Sequence, residues 1–388
     1  MDNIKMTNHH YKRINLLIIL IFALQLVSCQ KNNDKMSNKE EESNGKMIDE
    51  PTGIWPTNRD KNGDYYYTTS LNSFPGYITQ DAGSHFITSK EEVGFLVMEN
   101  GGGWPYVTGW GRNDEYHPIP EKLYVAWYSP HEDKFYQGTF VMPSDKIKKE
   151  LDKMWRAYPT KSLYTADHFD RYKDLIVGVV PGGGVVVWLS SLSQTIEIGR
   201  YKAAVTDKIT WKDFARMNGM ASDNTKENYL KYTEKGISPL PFNILEKYER
   251  RYNWKIKIED KETKQVIQPL KFNTYFYNGE EEMQYALYKE EYGIASRPVP
   301  KKIIFRFKVD ENIVYGTGFT FNEDDIFKAF DVVGVNKDKA IELVIQLDKD
   351  LELKKVMVKS EDKQYILDVP LPKMGKSKLD LKITPLKN

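Results

Sequence analysis

The chain has 388 residues, with 56 Lys and Arg against 55 Asp and Glu and a formal charge of +1 at neutral pH. Near-neutrality argues against any broad attraction to nucleic acid or anionic lipid, so recognition has to be local. A single cysteine excludes an internal disulfide framework, while 25 Tyr and 8 Trp suit twisted sheets as well as contact surfaces.

At the N-terminus, Lys5, Lys12 and Arg13 precede an apolar run from Leu16 to Val27 that ends in Leu26-Val27-Ser28-Cys29. That order is a secretory signal with a lipobox, and the run is too short for a bilayer span, which takes about 20 apolar residues. The expectation is a signal peptide over 1–28, cleavage before Cys29, and a membrane contact made through its acylated thiol. Several acyl chains, at about 0.8 kcal/mol per buried methylene, anchor stably. The alternatives are a soluble-secretion signal with a chance cysteine and a short membrane anchor. Residues 29–50 are mostly Lys, Asn, Asp, Glu and Ser with little to bury, which reads as a disordered tether. Gln30, Lys31 and Asp34 resemble a degraded form of the acidic surface-export signal of Bacteroidetes lipoproteins, with Asn32 and Asn33 where acids are expected. A plain polar tether fits equally, so the expected location is the cell envelope, on the outer membrane, with surface exposure left open.

Residues 51–117 carry many Gly, Pro, Asn and aromatic residues and read as irregular strands and long loops. After them comes an internal repeat. Pro118 to Trp127 is answered by Pro298 to Phe307, so that Leu123, Val125 and Trp127 match Ile303, Phe305 and Phe307 on one face of a strand. A polar hairpin follows, one residue shorter in the second copy, after which Tyr136 matches Tyr315 and Phe140 matches Phe319. Next come helices whose apolar residues Ile147, Leu151 and Met154 match Ile326, Phe330 and Val333, at the spacing of one helical stripe. Ser144 and Asn322 are expected to cap them. Further strands are expected at Leu175–Val180, Val185–Leu189 and Thr195–Tyr201, with the turn Pro181-Gly182-Gly183-Gly184 between the first two. In the second copy they are expected at Ile341–Leu347, Leu351–Lys359 and Gln364–Val369.

The fold class expected is α+β and sheet-rich: two similar lobes of antiparallel strands, each with one packed helix, at 51–205 and 251–388. A helical connector at 206–250 joins them, with a Thr210 to Asp213 capping box, an Asn243 cap, and Trp254, Ile256 and Ile258 opening the second lobe.

No catalytic, metal or cofactor signature emerges. His85, His117, His131 and His168 lack the spacing of a helical metal pair. His131-Glu132-Asp133 reads as a hairpin tip. The two Gly-rich runs, at Gly101–Gly103 and Pro181–Gly184, are followed by strands, whereas a phosphate cradle leads into a helix. Ser190, Ser191 and Ser193 lack a nucleophile elbow. Trp104, Tyr106 and Trp110 are the candidate ligand-binding residues: with neighbouring Gly and Pro they either pack on the sheet or form an exposed contact surface, while Trp155 belongs to the core.

The Gly109-Trp110-Gly111 segment, the strand from Pro118, the Tyr136 to Phe140 strand, the helix to Trp155 and the run from Gly178 to Leu189 together resemble bacterial lipoproteins of the domain-of-unknown-function family numbered 2931. The resemblance is best over about 95–205, weaker over 250–370 and absent from the tether. Its motifs are structural and assign no catalytic residue. Some members look like immunity partners of secreted antibacterial toxins, which implies a protein-binding role. The functions expected are thus a lipid-tethered module binding an envelope or secreted protein, a glycan-binding or glycan-processing surface, or an enzyme with dispersed acids.

Overall fold

The first half of the body contains β1 (Tyr65–Ser73), β2 (His85–Ile87), β3 (Glu92–Gly94), β4 (Glu115–His117), β5 (Lys122–Ser129), β6 (Lys134–Val141), α1 (Ser144–Leu151), β7 (Asp174–Val180), β8 (Gly184–Ser190), β9 (Gln194–Lys202) and β10 (Ala204–Thr206). Helices α2 (Trp211–Met217), α3 (Lys226–Thr233) and α4 (Ile244–Tyr248) follow. The second half contains β11 (Arg251–Asp260), β12 (Lys271–Phe276), β13 (Glu281–Tyr285), β14 (Ala295–Pro298), β15 (Pro300–Lys308), β16 (Ile313–Thr320), α5 (Glu323–Val333), β17 (Ile341–Leu347), β18 (Leu353–Lys359), β19 (Gln364–Leu367) and β20 (Gly375–Lys378). These come from a computed structural model that describes residues 59–95, 104, 115–153, 155–156, 169–221, 225–233, 244–285, 293–308, 313–334, 339–370 and 375–378. The signal, the tether, Cys29, Tyr106, Trp110, His168 and Asn243 lie outside the described residues, as do the side chains of Met154 and Trp155.

Period-2 patterning sets the register. Leu123, Val125 and Trp127 are buried on β5, and Ile303, Phe305 and Phe307 on β15. In the first hairpin Leu123 stands opposite Phe140 and Trp127 opposite Tyr136; in the second Ile303 faces Phe319 and Phe307 faces Tyr315. The repeat therefore holds on both sides of the shortened turn, where a one-residue slip would have turned each apolar set to the opposite face of its sheet.

Helix α5 buries Ile326, Phe330 and Val333, and its Asn322 side chain accepts from the Asp325 amide at 3.1 Å. Glu323, Asp324 and Asp325 in its first turn suit the positive end of the helix dipole. The expected Ser144 cap on α1 is not formed. Pro143 occupies the cap position with no side-chain bond, and the Ser144 hydroxyl donates instead to the Pro120 carbonyl at 2.7 Å, tying the helix to the segment that leads into β5.

The likeness of the two halves extends to complete sheets. In the first half one sheet runs β4-β1-β7-β8-β9 and a second runs β10-β6-β5-β2-β3; the second half has β14-β11-β17-β18-β19 and β20-β16-β15-β12-β13. Even the one parallel pairing that each half has among the described residues recurs, β1 with β7 and β11 with β17. These parallel pairs depart from the expected antiparallel lobes, and β1, nine residues long, is more regular than the irregular strands and long loops expected over 51–117. The cause is that β1 buries Thr69, Ser70 and Asn72 along with Tyr65 and Tyr67, so it lacks an apolar run.

The halves are joined edge to edge. β9 pairs antiparallel with β13, placing Gln194 opposite Glu282 and Thr195 opposite Glu281, and fuses one sheet of each half into a ten-stranded sheet. All the described residues fall in one compact unit, Thr52–Asn388. A chain of aromatic rings also crosses the join: Trp188 to Trp104 at 4.5 Å, Trp104 to Phe74 at 5.3 Å, Phe74 to Tyr248 at 6.1 Å, and Tyr248 to Phe327 at 5.9 Å. The connector is part of the body too. Trp211, Phe214 and Tyr229 from α2 and α3 pack on Tyr124, Ala126, Tyr128 and Phe135 of the first hairpin and form a small separate core. The Thr210 side chain caps α2 by accepting from the Asp213 amide, as the capping box predicts.

Candidate functional site

Beside this ring chain, α4 and α5 frame an open groove of about 540 Å³ lined by Lys247, Arg250, Asp324, Phe327, Lys328, Asp331, Val332 and Lys363. Its geometry follows from α5 having two stripes. Ile326, Phe327, Phe330 and Val333 are buried in the core, while Asp324, Lys328 and Asp331, at i, i+4 and i+7, form a second stripe that contributes to the groove above Phe327. Phe327 is its floor, with the Lys247 ammonium 4.8 Å and the Arg250 guanidinium 5.9 Å from the ring centre.

The charges along the groove are ordered in pairs. Lys247 contacts Glu323 at 2.7 Å and Asp324 at 3.0 Å. Arg250 contacts Asp331 at 2.7 Å, and Asp331 also accepts from the Tyr252 hydroxyl at 2.6 Å. Burial works against the Lys247 charge, but the hydrogen bonds it donates to Glu323 and Asp324 outweigh it and raise its pKa. Burial, reinforced by Asp331, raises that of Tyr252. Exposed pairs of this kind contribute about 0–1 kcal/mol each, so they do little to hold the fold and chiefly fix a charge pattern on the surface. Val332, 40% exposed, adds apolar area to the groove.

The residues singled out in the sequence lie elsewhere. Trp104, at 8% exposure, packs edge-on against Trp188 above Gly178, where an added Cβ would stand 2.7 Å from the Trp104 ring. Of the two alternatives for this residue, the structure has packing. The His131-Glu132-Asp133 tip is a hub. The Glu132 carboxylate accepts from Tyr77 at 2.6 Å, from Tyr136 at 2.7 Å and from the Gly182 amide at 3.0 Å, which clamps the first hairpin to the Gly-rich turn. That turn is a tight hairpin, with Gly182 and Gly183 at φ of 73° and 86° and Val180 opposite Gly184. His117 Nδ1 lies 2.8 Å from Glu91, and His85 stacks on Tyr124 at 4.9 Å. Ser191 and Ser193 bond to the buried Asp170, a loop-closing arrangement. Among the described residues no group of three or more His, Cys, Asp and Glu is placed to hold a metal, and no helix is long and apolar enough to cross a membrane.

A second polar cluster occupies the outer face of β12. Burial pushes Lys271 down to about 8, with Arg306 adding to the effect and Glu281 opposing it. Burial also raises the Glu281 carboxyl, against a hydrogen bond from Asn273 at 3.3 Å. Functional sites and structural ion-pair networks both shift groups in this way. The second stripe of α5 was readable in the sequence from the spacing of Asp324, Lys328 and Asp331. Its alignment with α4 was not, because that depends on how the connector packs.

No curated protein and no solved structure matches the chain. One family model does, over residues 41–241, just over half the chain and ending shortly before β11, so it spans the first half and most of the connector, while the topological copy beyond lies outside it. On the strength of that match the chain belongs to the family described as "Protein of unknown function (DUF2931)".

Proposed function

We propose that this is a lipid-anchored protein of the cell envelope, held through Cys29, whose duplicated α+β body captures a protein partner. The observation that carries the binding role is the groove between α4 and α5, where paired charges of both signs surround an aromatic floor beside exposed Val332. A charge pattern that costs little to form and contributes little to stability is suited to selecting a complementary protein surface. Support for the anchor comes from the ordered signal, the lipobox and the lone cysteine. On this reading the two halves act as lobes of one receptor at the end of a tether.

Two measurements test it. Metabolic labelling with a fatty-acid analogue should mark the wild-type chain and not Cys29→Ser; label retained in Cys29→Ser would overturn the anchor. Pull-down from solubilised envelopes and from culture supernatant should recover one dominant partner, lost in Asp324→Lys combined with Lys328→Glu. Recovery unchanged by that double variant would remove the groove from the reading. The alternative is a glycan-binding or glycan-processing surface at Trp104, Tyr106 and Trp110, with the burial of Trp104 counting against that residue's part in it.

A further inference from the structure

The two halves differ in what they place on the outer face of their matching hairpin sheets. At the offset that matches Leu123 with Ile303, Ala126 matches Arg306. In the first half Ala126 is fully buried in the small core with Ala82 and Phe214 of α2. In the second half Arg306 is exposed and stands directly opposite Lys271 of the neighbouring strand, so that their Cβ atoms lie about 4.5–5.5 Å apart on one face. An apolar contact in one copy is a pair of cations in the other.

Like charges so placed repel each other, and burial adds to the cost on Lys271. Asn273 and Tyr275 continue the same face of β12, and Lys302 reaches over the Tyr275 ring at 5.7 Å. Glu281 is the one acid on the outer face of β12, β13 and β15 among the described residues, and Asn273 and Tyr275 bond to its carboxyl. β12, β15, β16 and β20 contain no Asp or Glu. No carboxylate pairs with the Arg306 guanidinium among the described residues, and Gly316, opposite Arg306 on its other side, presents no side chain to cover it. Three cations, Lys271, Lys302 and Arg306, thus stand against one carboxylate.

We propose that Lys271 and Arg306 together bind a phosphate group borne by a small soluble molecule. Arg306 supplies a planar fork and Lys271 a point charge, both suited to phosphate oxygens. A phosphate of about −1.5 to −2 at neutral pH matches the excess of positive charge better than a single carboxylate does. Once bound, it turns a repulsive cross-strand pair into two attractive contacts. The site is local, as a chain of nearly zero net charge requires.

The test is acetylation of the full-length chain in non-ionic detergent, with the rate at each lysine read by mass spectrometry. Inorganic phosphate is the probe, compared with sodium chloride at equal ionic strength. Phosphate at about four times its Kd should slow the modification of Lys271 about fivefold. Lys122, which holds the place of Lys302 in the first half, should react at an unchanged rate. Arg306→Gln should abolish the protection and Arg306→Lys should restore part of it, with thermal melts in chloride showing that both variants are folded. Phosphate also stabilises proteins in general through its exclusion from their surfaces, so a second measurement compares melting of the wild type with Lys271→Met, where only the saturable part of the phosphate effect should vanish. Equal rates at Lys271 in phosphate and chloride would overturn the proposal, and so would protection that survives Arg306→Gln. Protection by short-chain phosphatidic acid but not by phosphate or glycerol 3-phosphate would assign the affinity to a lipid and overturn it as well. None of these outcomes depends on Cys29 or on partner capture in the α4/α5 groove.

Discussion

The indole N–H of Trp188, on β8 of the first half, donates at 3.1 Å to the backbone carbonyl of Asn278, in the turn between β12 and β13 of the second. Both residues are buried. Trp188→Phe would leave that carbonyl buried without its donor, at a cost of about 1–3 kcal/mol, and would also thin the aromatic chain. A lower urea midpoint with the body still melting in one transition is the expected outcome. Two separate transitions in the wild type would show that the halves are energetically independent.

Trp104 separates packing from ligand contact. Its ring sits between Trp188 and Phe74, so Trp104→Ala should lower stability by about 3–5 kcal/mol, the range for emptying a large aromatic site. Thermal denaturation reads this directly. A variant as stable as the wild type would mean that the ring is not part of the core.

Glu132 serves three donors from three segments of chain. Glu132→Ala strands two tyrosine hydroxyls and an amide, and should cost about 1–3 kcal/mol even if water reaches some of them. Hydrogen exchange should show faster opening of the Pro181–Gly184 turn in that variant, because the clamp on it is gone.

Two glycines of similar φ allow a paired comparison. Gly183, at φ of 86°, would place an added Cβ 2.5 Å from the Ala203 carbonyl, whereas Gly63, at 84°, has nothing within 4 Å. Gly63→Ala should cost only the backbone term, about 1 kcal/mol, and Gly183→Ala clearly more, since it adds a collision with backbone. Equal chemical-denaturation midpoints for the two variants would contradict the placement of the turn.

Lys271 gives stability a pH dependence. Its ordinary value of 10.5 falls to about 8 in the folded chain, chiefly through burial. Below the folded value both states hold the proton, so the folded state bears the full cost of burying the charge. Between the two values the unfolded chain binds more protons, and stability rises with pH. Lys271→Met should therefore melt above the wild type at pH 7, with the gap narrowing as pH approaches 10.5. A gap constant with pH would refute the buried charge.

How much of this was legible in the sequence depended on where the apolar residues stand. The hairpins β5–β6 and β15–β16 and helix α5 could be read because Leu123, Ile303, Ile326 and their neighbours alternate or recur on one face. The recurrence between the halves was visible as well, in the Pro118 and Pro298 runs. Within the stretch read as irregular strands and long loops, β1 could not be placed because Thr69, Ser70 and Asn72 are buried polar groups, and hydropathy patterning does not count those. The join between β9 and β13 escaped as well: Glu281 and Glu282 carry no apolar signal, and only the packed sheet shows that they pair with Thr195 and Gln194. The groove needed α4, five residues long, to be positioned by the connector.

The parallel pairing of β1 with β7 has a kinetic consequence. Thr68 meets Asp174 across a sequence separation of 106, so the centre of the first sheet cannot assemble until nearly half the polypeptide is available. β20 closes the far border of the ten-stranded sheet by pairing with β16, again across a long stretch of sequence. Contacts this distant in sequence slow folding, and the nascent protein therefore stays loose for much of its synthesis.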